Sequence, residues 1–188
     1  MFLDNARLPG AELLERHFEQ IDRLFEQIAP DEFVEWVLGD AYVGHWRLFG
    51  VHHRDPNWVF ADRFNRNGRD PRVCEIAAML ARVPGLVAST FMQLDPGSHI
   101  HPHVDDPALH SARLFIGVRS NAGAKMRAGD EVRAIERGRV YAFDSAVMHE
   151  TINEGTTPRI IFGFEVDWDQ REAPLLPSSR LASGCAGA

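Results

Sequence analysis

The chain has 188 residues, of which 45% are apolar and 25% are charged, and its formal net charge is −7. This length and composition predict one soluble globular domain, and the acidic charge argues against a nucleic-acid or anionic-membrane partner, because both select basic surfaces. No apolar run is long enough to cross a membrane, the first ten residues lack the pattern of a secretory signal, and two cysteines are too few for a disulfide framework, so we expect a cytoplasmic protein.

The first part of the chain predicts helices and outer strands. Apolar residues at helical spacing over residues 11–28 predict an amphipathic helix that ends before a proline. The runs EFVEWV and HWRLFGVHH are rich in aromatic and branched residues, which predicts two strands. Residues 55–71 are rich in Asn, Asp and Gly and predict a loop. A second helix is expected near 71–82, between an Asp-Pro start and a Pro-Gly stop.

From Leu86 onward the chain changes to short strands separated by turns. The strand-like segments are LVASTFMQL, ARLFIGVR, RVYAFD, VMHETIN and RIIFGFEVD. Such spacing favours an antiparallel barrel or sandwich. We therefore predict one mainly β domain with flanking helices (α+β) and a jelly-roll, cupin-like core. Its parts are N-terminal helices and outer strands in 1–85, the catalytic core in 86–168, and a flexible tail in 170–188.

The segment HIHPHVDD, residues 99–106, combines histidines and aspartates in the pattern of a metal site. An extended strand places His99, His101, His103 and Asp105 on one face. His103 and Asp105 are roughly 7 Å apart along a strand, and His149 is the best third ligand. Two histidines and one carboxylate form the facial triad of Fe(II) oxygenases. We predict that these three residues bind the metal, and that a bend after the DPGS turn takes the first two histidines away from it.

An arginine ten residues after His149 indicates a second part of the same site. MHETINEGTTPRII predicts a hairpin with its turn near Glu154. A symmetric register then places His149 and Arg159 opposite each other, with Cβ atoms about 5 Å apart. A buried guanidinium offers a bidentate fork to a carboxylate. We therefore expect a small dicarboxylate such as 2-oxoglutarate to chelate the metal at one end and bind Arg159 at the other.

These segments resemble a known family. The stretch from PGSHIHPHVD through SARLFIGV to EVRAIERGRVYAFDSAVMHE, with the arginine that follows, resembles the catalytic domain of the aspartyl/asparaginyl β-hydroxylases over residues 46–168. The resemblance implies a double-stranded β-helix that uses Fe(II), 2-oxoglutarate and O2 and releases succinate and CO2. It implies that His103 and His149 bind iron, that Arg159 holds the distal carboxylate of 2-oxoglutarate, and that Arg113 helps to bind this co-substrate.

The resemblance also has departures and implies a substrate class. Vertebrate members have a glycine in place of Asp105, and the complete triad here argues against halogenation. The strand with Trp46, Arg47 and His53 matches one that lines the active site, so a basic group there is expected to meet a substrate carboxylate. The implied substrate is an amino acid, of Asp or Asn type, that is free, in a peptide or tethered to a carrier.

Two other functions fit the same residues. A cupin-like metal enzyme that does not use 2-oxoglutarate would bind its metal through His99, His101 and His149. A non-catalytic jelly-roll module would bind a small acid through Arg159 without turnover.

Overall fold

The protein is described here from a computed structural model, which covers residues 1–3, 8, 10–36, 39–57, 60–65, 67, 70–105 and 111–167. Its centre is a pair of antiparallel sheets. The strands are β1 (Val34–Glu35), β2 (Tyr42–Val43), β3 (Trp46–His53), β4 (Leu86–Leu94), β5 (His99–His103), β6 (Ser111–Arg119), β7 (Ala124–Ala128), β8 (Glu131–Ala134), β9 (Val140–Asp144), β10 (His149–Asn153) and β11 (Arg159–Asp167).

The two sheets form the predicted jelly-roll, or double-stranded β-helix. The larger sheet has the strand order β1-β3-β4-β11-β6-β9, and the smaller has the order β2-β5-β10-β7-β8. Some strands that follow each other in sequence, such as β10 and β11, lie in different sheets, whereas β3 and β4 are paired neighbours in the larger sheet. Both sheets draw strands from the N-terminal segment as well as from the region after Leu86.

The helices cover one face of the larger sheet. They are α1 (Ala11–Arg16), α2 (Phe18–Gln27), α3 (Ala61–Asn65) and α4 (Cys74–Leu80), with 3-10 turns at Pro30–Glu32, Gly39–Ala41 and Pro71–Val73. Leu14 and Ile21 of the helices are buried in one cluster with Phe91 and Phe162 of the sheet. Burial of these side chains removes apolar area from water and stabilises this outer face. Within the described residues, no helix is long and apolar enough to span a membrane.

The inner face of the larger sheet points toward the smaller sheet. Because side chains alternate along a strand, Ile160 and Phe162 of β11 join the helix-covered cluster, whereas Ile161 joins a second cluster inside the barrel. The inner cluster includes Phe115, whose ring stacks on that of Tyr141 at 5.3 Å. The residues of β11 that lie on the same face as Ile161, at every second position, therefore line the interior of the barrel.

The structure corrects two of the local predictions and confirms a third. The helix expected over 11–28 is divided at His17, whose backbone (φ −102°, ψ 14°) leaves helical geometry although the apolar pattern continues. The segment 55–71 contains α3, because Asn65 bonds through its side chain to both backbone groups of His53 and fixes the helix against β3. The second helix is confirmed and begins as a 3-10 turn. The predicted tail, 170–188, lies outside the described residues.

The predicted hairpin between His149 and Arg159 is wrong. β10 pairs with β5 and β7, and β11 pairs with β4 and β6, so the connection is an arch between the two sheets. The fully buried Asn153 holds this arch. Its side-chain amide donates to the carbonyl oxygens of Leu94 and Thr157, at 2.9 Å each. Strand alternation alone does not show which sheet each strand joins.

Replacing Asn153 with alanine is expected to lower the free energy of unfolding by about 2–3 kcal/mol, because buried carbonyl oxygens lose their donor. Urea unfolding measures the change. The matched control is Asn57→Ala, which removes the same atoms from an exposed asparagine and should change stability little. Equal losses in the two variants would contradict the role given to Asn153.

A partly buried histidine on β3, His52, is expected to make stability depend on pH. Burial lowers the pKa of His52 to about 4, from an ordinary 6.5, with smaller contributions from His53 and Arg54. Between these pH values the unfolded chain takes up a proton that the folded chain does not, so stability falls as the pH drops from 6.5 toward 4. His52→Gln should remove about 2–3 kcal/mol of this dependence. Urea titrations at pH 7 and pH 4.5 measure it, with the exposed His45→Gln as the control that should behave as wild type.

Candidate metal and co-substrate site

Three potential metal ligands meet at one end of the barrel. His103 ends β5 and His149 begins β10, and the two residues pair directly across these strands. Asp105 follows two residues after His103, and its backbone N–H donates to the Ser145 carbonyl oxygen at 3.0 Å. One ligand atom from each of the three side chains lies within 4.8 Å of the others, so a single ion can contact all three. Among the described residues this is the one such group.

Backbone hydrogen bonds orient both imidazoles toward the same point. His103 Nδ1 lies 2.7 Å from the His101 carbonyl oxygen, and His149 Nδ1 lies 2.8 Å from that of Val147. A carbonyl only accepts, so Nδ1 carries the proton in each ring and Nε2 keeps its lone pair for a metal. Asp105 Oδ1 is 3.7 Å from Nε2 of His103, and its Oδ2 is 3.8 Å from Nε2 of His149. This donor set fits a facial Fe(II) site.

The three ligands differ in exposure, which defines an open side. His149 is 4% exposed and its ring packs against Phe143 at 4.8 Å. Burial lowers the pKa of His149 to about 4, so the ring is neutral and able to bind a metal at neutral pH. The His103 side chain is 38% exposed. The site is therefore open to solvent on the His103 side.

His99 and His101 lie away from this site. A bulge interrupts the β5–β10 pairing between His149 and Thr151, which changes the face that the strand presents. His99 Nε2 lies 2.7 Å from a carboxylate oxygen of Glu150, and the two histidine rings contact each other edge to face. The bulge therefore explains the predicted bend. His99, His101 and His149, the ligands of the cupin-like alternative, do not form a metal-binding group.

Arg159 is a buried cation without a counter-charge among the described residues. It is the first residue of β11 and lies on the same inner face as Ile161, and it is 3% exposed. Burial lowers the pKa of its guanidinium to about 10, and no carboxylate of the described residues offsets this effect. Its Nε atom is buried without a hydrogen-bond partner among the described residues. Because a buried unpaired charge is costly, this arrangement fits a site for an anionic ligand.

Arg113 has a different environment from Arg159. Its Nε lies 2.7 Å from Asp105 Oδ2, and its terminal nitrogen lies 3.6 Å from Glu165 Oε2. Burial alone would lower the pKa of Arg113, but the two carboxylates outweigh burial and raise it. The structure therefore places Arg113 beside the metal ligands. The sequence analysis did not single out Glu165, although a carboxylate between the apolar residues Phe164 and Val166 was a signal.

The predicted substrate strand, β3, presents its residues on different faces. Trp46 pairs with Leu94, and Leu94 also pairs with Arg159. Trp46 therefore lies on the inner face of the sheet, at the same end of the barrel as Arg159. His53 pairs with Ala88 opposite Glu165, at the end nearer the metal ligands. Arg47 is on the other face and its guanidinium is paired with two carboxylates, those of Glu35 and Asp95.

Comparisons with known proteins agree with this geometry. The sequence profile of the family described as Aspartyl/Asparaginyl beta-hydroxylase matches residues 12–168. The chain is 28% identical over 107 residues to the aspartyl/asparaginyl beta-hydroxylase of Mus musculus, covering 55% of this chain and 14% of that protein. It is 32% identical over 82 residues to the protein of that name from Homo sapiens, covering 43% and 11%. The chain thus spans a small part of the length of these relatives.

A solved structure supports the fold. An oxidoreductase of the 2OG-Fe(II) oxygenase family from Burkholderia pseudomallei superposes with a TM-score of 0.52 at 14% identity. The match covers 82% of this chain and 81% of that chain. The comparison therefore supports the jelly-roll, double-stranded β-helix fold.

Proposed function

The chain belongs to the aspartyl/asparaginyl β-hydroxylase family, and we propose that it is an Fe(II)- and 2-oxoglutarate-dependent dioxygenase that hydroxylates an amino acid. The proposed substrate is of Asp or Asn type and is free, in a peptide or tethered to a carrier. The iron ligands in this proposal are His103, Asp105 and His149. Arg159 is the proposed partner of the distal carboxylate of 2-oxoglutarate.

The buried guanidinium of Arg159, which has no carboxylate partner among the described residues, carries this proposal. His149 and Asn153 are the two ends of β10, about 13 Å apart along the strand. Asn153 bonds to Leu94, and Leu94 pairs with Arg159, so Arg159 belongs to the barrel end away from the metal ligands. In this proposal a short dicarboxylate binds the metal at one end and extends into the barrel, where its other carboxylate meets the guanidinium of Arg159. A site that binds only a metal does not need the buried positive charge of Arg159.

Each group of the site has a defined role in the proposed reaction. Bound Fe(II) and 2-oxoglutarate supply the oxidising chemistry with O2, which yields succinate, CO2 and a hydroxylated product. The three side chains would hold the ion and would leave coordination positions for the co-substrate and O2. Arg159 fixes the orientation of the co-substrate through charge-assisted hydrogen bonds. The inner wall of Phe115, Tyr141 and Phe143 excludes water from the reacting centre.

Coupled turnover tests the proposed function. Iron-loaded protein is incubated with 2-oxoglutarate, ascorbate and a panel of amino acids and Asp- or Asn-containing peptides in air. We expect succinate to form and one panel member to gain the mass of one oxygen atom. His149→Ala protein is the control for iron chemistry in solution. An iron-bound wild-type protein that forms no succinate with any panel member would contradict the proposal.

A further inference from the structure

The metal ligand Asp105 lies outside regular secondary structure. It follows the end of β5, so no strand ladder fixes its side chain. Its backbone is held by the hydrogen bond to the Ser145 carbonyl oxygen. Its carboxylate forms an ion pair with Arg113, whose Nε lies 2.7 Å from Oδ2, although neither atom has a hydrogen-bond partner among the described residues. The opposite oxygen, Oδ1, faces His103 Nε2.

Arg113 is itself held at both ends of its guanidinium. Nε contacts Asp105, and the terminal nitrogen lies 3.6 Å from Glu165, the residue that pairs with Arg113 across β6 and β11. The Glu165 side chain is 13% exposed, and one of its oxygens is buried without a hydrogen-bond partner among the described residues. A planar guanidinium can contact two carboxylates in fixed directions, whereas an ammonium group acts as a single point charge.

We propose that Arg113 is a positioning residue for the metal ligand Asp105, anchored by Glu165, and that it is not a contact for the co-substrate. The inference rests on the proposed function. The two arginines divide the work: the buried Arg159 has no carboxylate partner among the described residues and binds the anionic co-substrate, whereas the partly exposed Arg113 already has two partners and orients a ligand. This assignment replaces the co-substrate role that the family resemblance implies for Arg113.

The affinity for Fe(II), measured in the absence of 2-oxoglutarate, tests the role of Arg113. We expect Arg113→Met to weaken anaerobic Fe(II) binding about 10- to 100-fold, the usual cost of removing a residue that orients a metal ligand. Arg119→Met is the matched control, because Arg119 lies on the same strand and is paired with Asp22 and Glu26, and it should bind Fe(II) as tightly as wild type. Unchanged or tighter Fe(II) binding by Arg113→Met, together with loss of 2-oxoglutarate affinity, would overturn the proposal.

A double-mutant cycle shows whether Arg113 acts through Asp105. In an Asp105→Ala background, Arg113→Met should cause no further loss of Fe(II) affinity, because the residue to be positioned is absent. A further loss would show that Arg113 acts independently, and the proposal would fail. If wild-type protein binds no divalent metal, the proposed function itself fails, which this experiment reveals first.

A second variant and a spectroscopic probe separate positioning from folding. Arg113→Lys keeps the charge but lacks the fork, so it should also weaken Fe(II) binding while its metal-free melting temperature stays near that of wild type. Co(II) is the probe of coordination: the absorption spectrum of Co(II)-loaded Arg113→Met should shift toward that of Asp105→Ala. A wild-type spectrum in both Arg113 variants would contradict the assignment.

Discussion

Replacing His149 with alanine is expected to abolish both iron binding and turnover. The residue is buried, neutral and oriented by its bond to the Val147 carbonyl oxygen, so no nearby group can take its place. Loss of a residue that only orients a ligand costs roughly 10- to 100-fold in affinity, and loss of the ligand should exceed about 100-fold. Anaerobic calorimetry with Fe(II) measures the change.

The matched control is His99→Ala, which removes an imidazole from the neighbouring strand at a position bonded to Glu150. This variant and His101→Ala should keep wild-type Fe(II) affinity, because neither ring reaches the metal group. Loss of iron in His101→Ala together with retention in Asp105→Ala would support the cupin-like metal enzyme and contradict the triad.

Replacing Arg159 with methionine is expected to weaken 2-oxoglutarate binding while making the metal-free protein more stable. The variant loses a charge-assisted contact with the co-substrate, worth about 2–5 kcal/mol, or roughly 30- to 5000-fold in affinity. It also removes a buried cation that has no carboxylate partner among the described residues, and this removal favours the folded state. Titration of the Fe(II) protein with 2-oxoglutarate and a thermal melt of the metal-free protein measure the two effects.

The matched control is Arg47→Met, because Arg47 is paired with Glu35 and Asp95 on the other face of β3. It should leave the affinity for 2-oxoglutarate unchanged and should not raise the melting temperature. An Arg159→Met protein that is less stable and still binds 2-oxoglutarate normally would show that Arg159 has a structural role.

Local sequence patterns predicted much of the fold. The apolar runs at 86–94 and 159–167 match β4 and β11, because strands in the centre of a covered sheet are buried on both faces. The metal group was also predictable, since His103 and Asp105 are close in sequence and His149 lies on an apolar strand. The break at His17 was not predictable, because the apolar period continues through it.

The pairing of distant groups was beyond the reach of local patterns. The arch at Asn153 depends on hydrogen bonds to Leu94, a residue 59 positions away. Period-two alternation gives the face of a strand and not its neighbours, so the same pattern fits a hairpin and an arch. Likewise, the contact of Arg113 with Asp105 and Glu165 joins three separate segments. The long-range pairing of strands, and not any motif, determines the role of Arg113.

The most direct test of the account is an anaerobic absorption measurement. Fe(II) is added to metal-free protein, followed by 2-oxoglutarate, and the visible charge-transfer band of the chelate is recorded for wild type and Arg159→Met. We predict a band that saturates in wild type and requires much higher 2-oxoglutarate in the variant, which would place metal, co-substrate and Arg159 in one site. Iron-bound wild-type protein that gives no band would contradict the account and favour a metal enzyme that does not use 2-oxoglutarate.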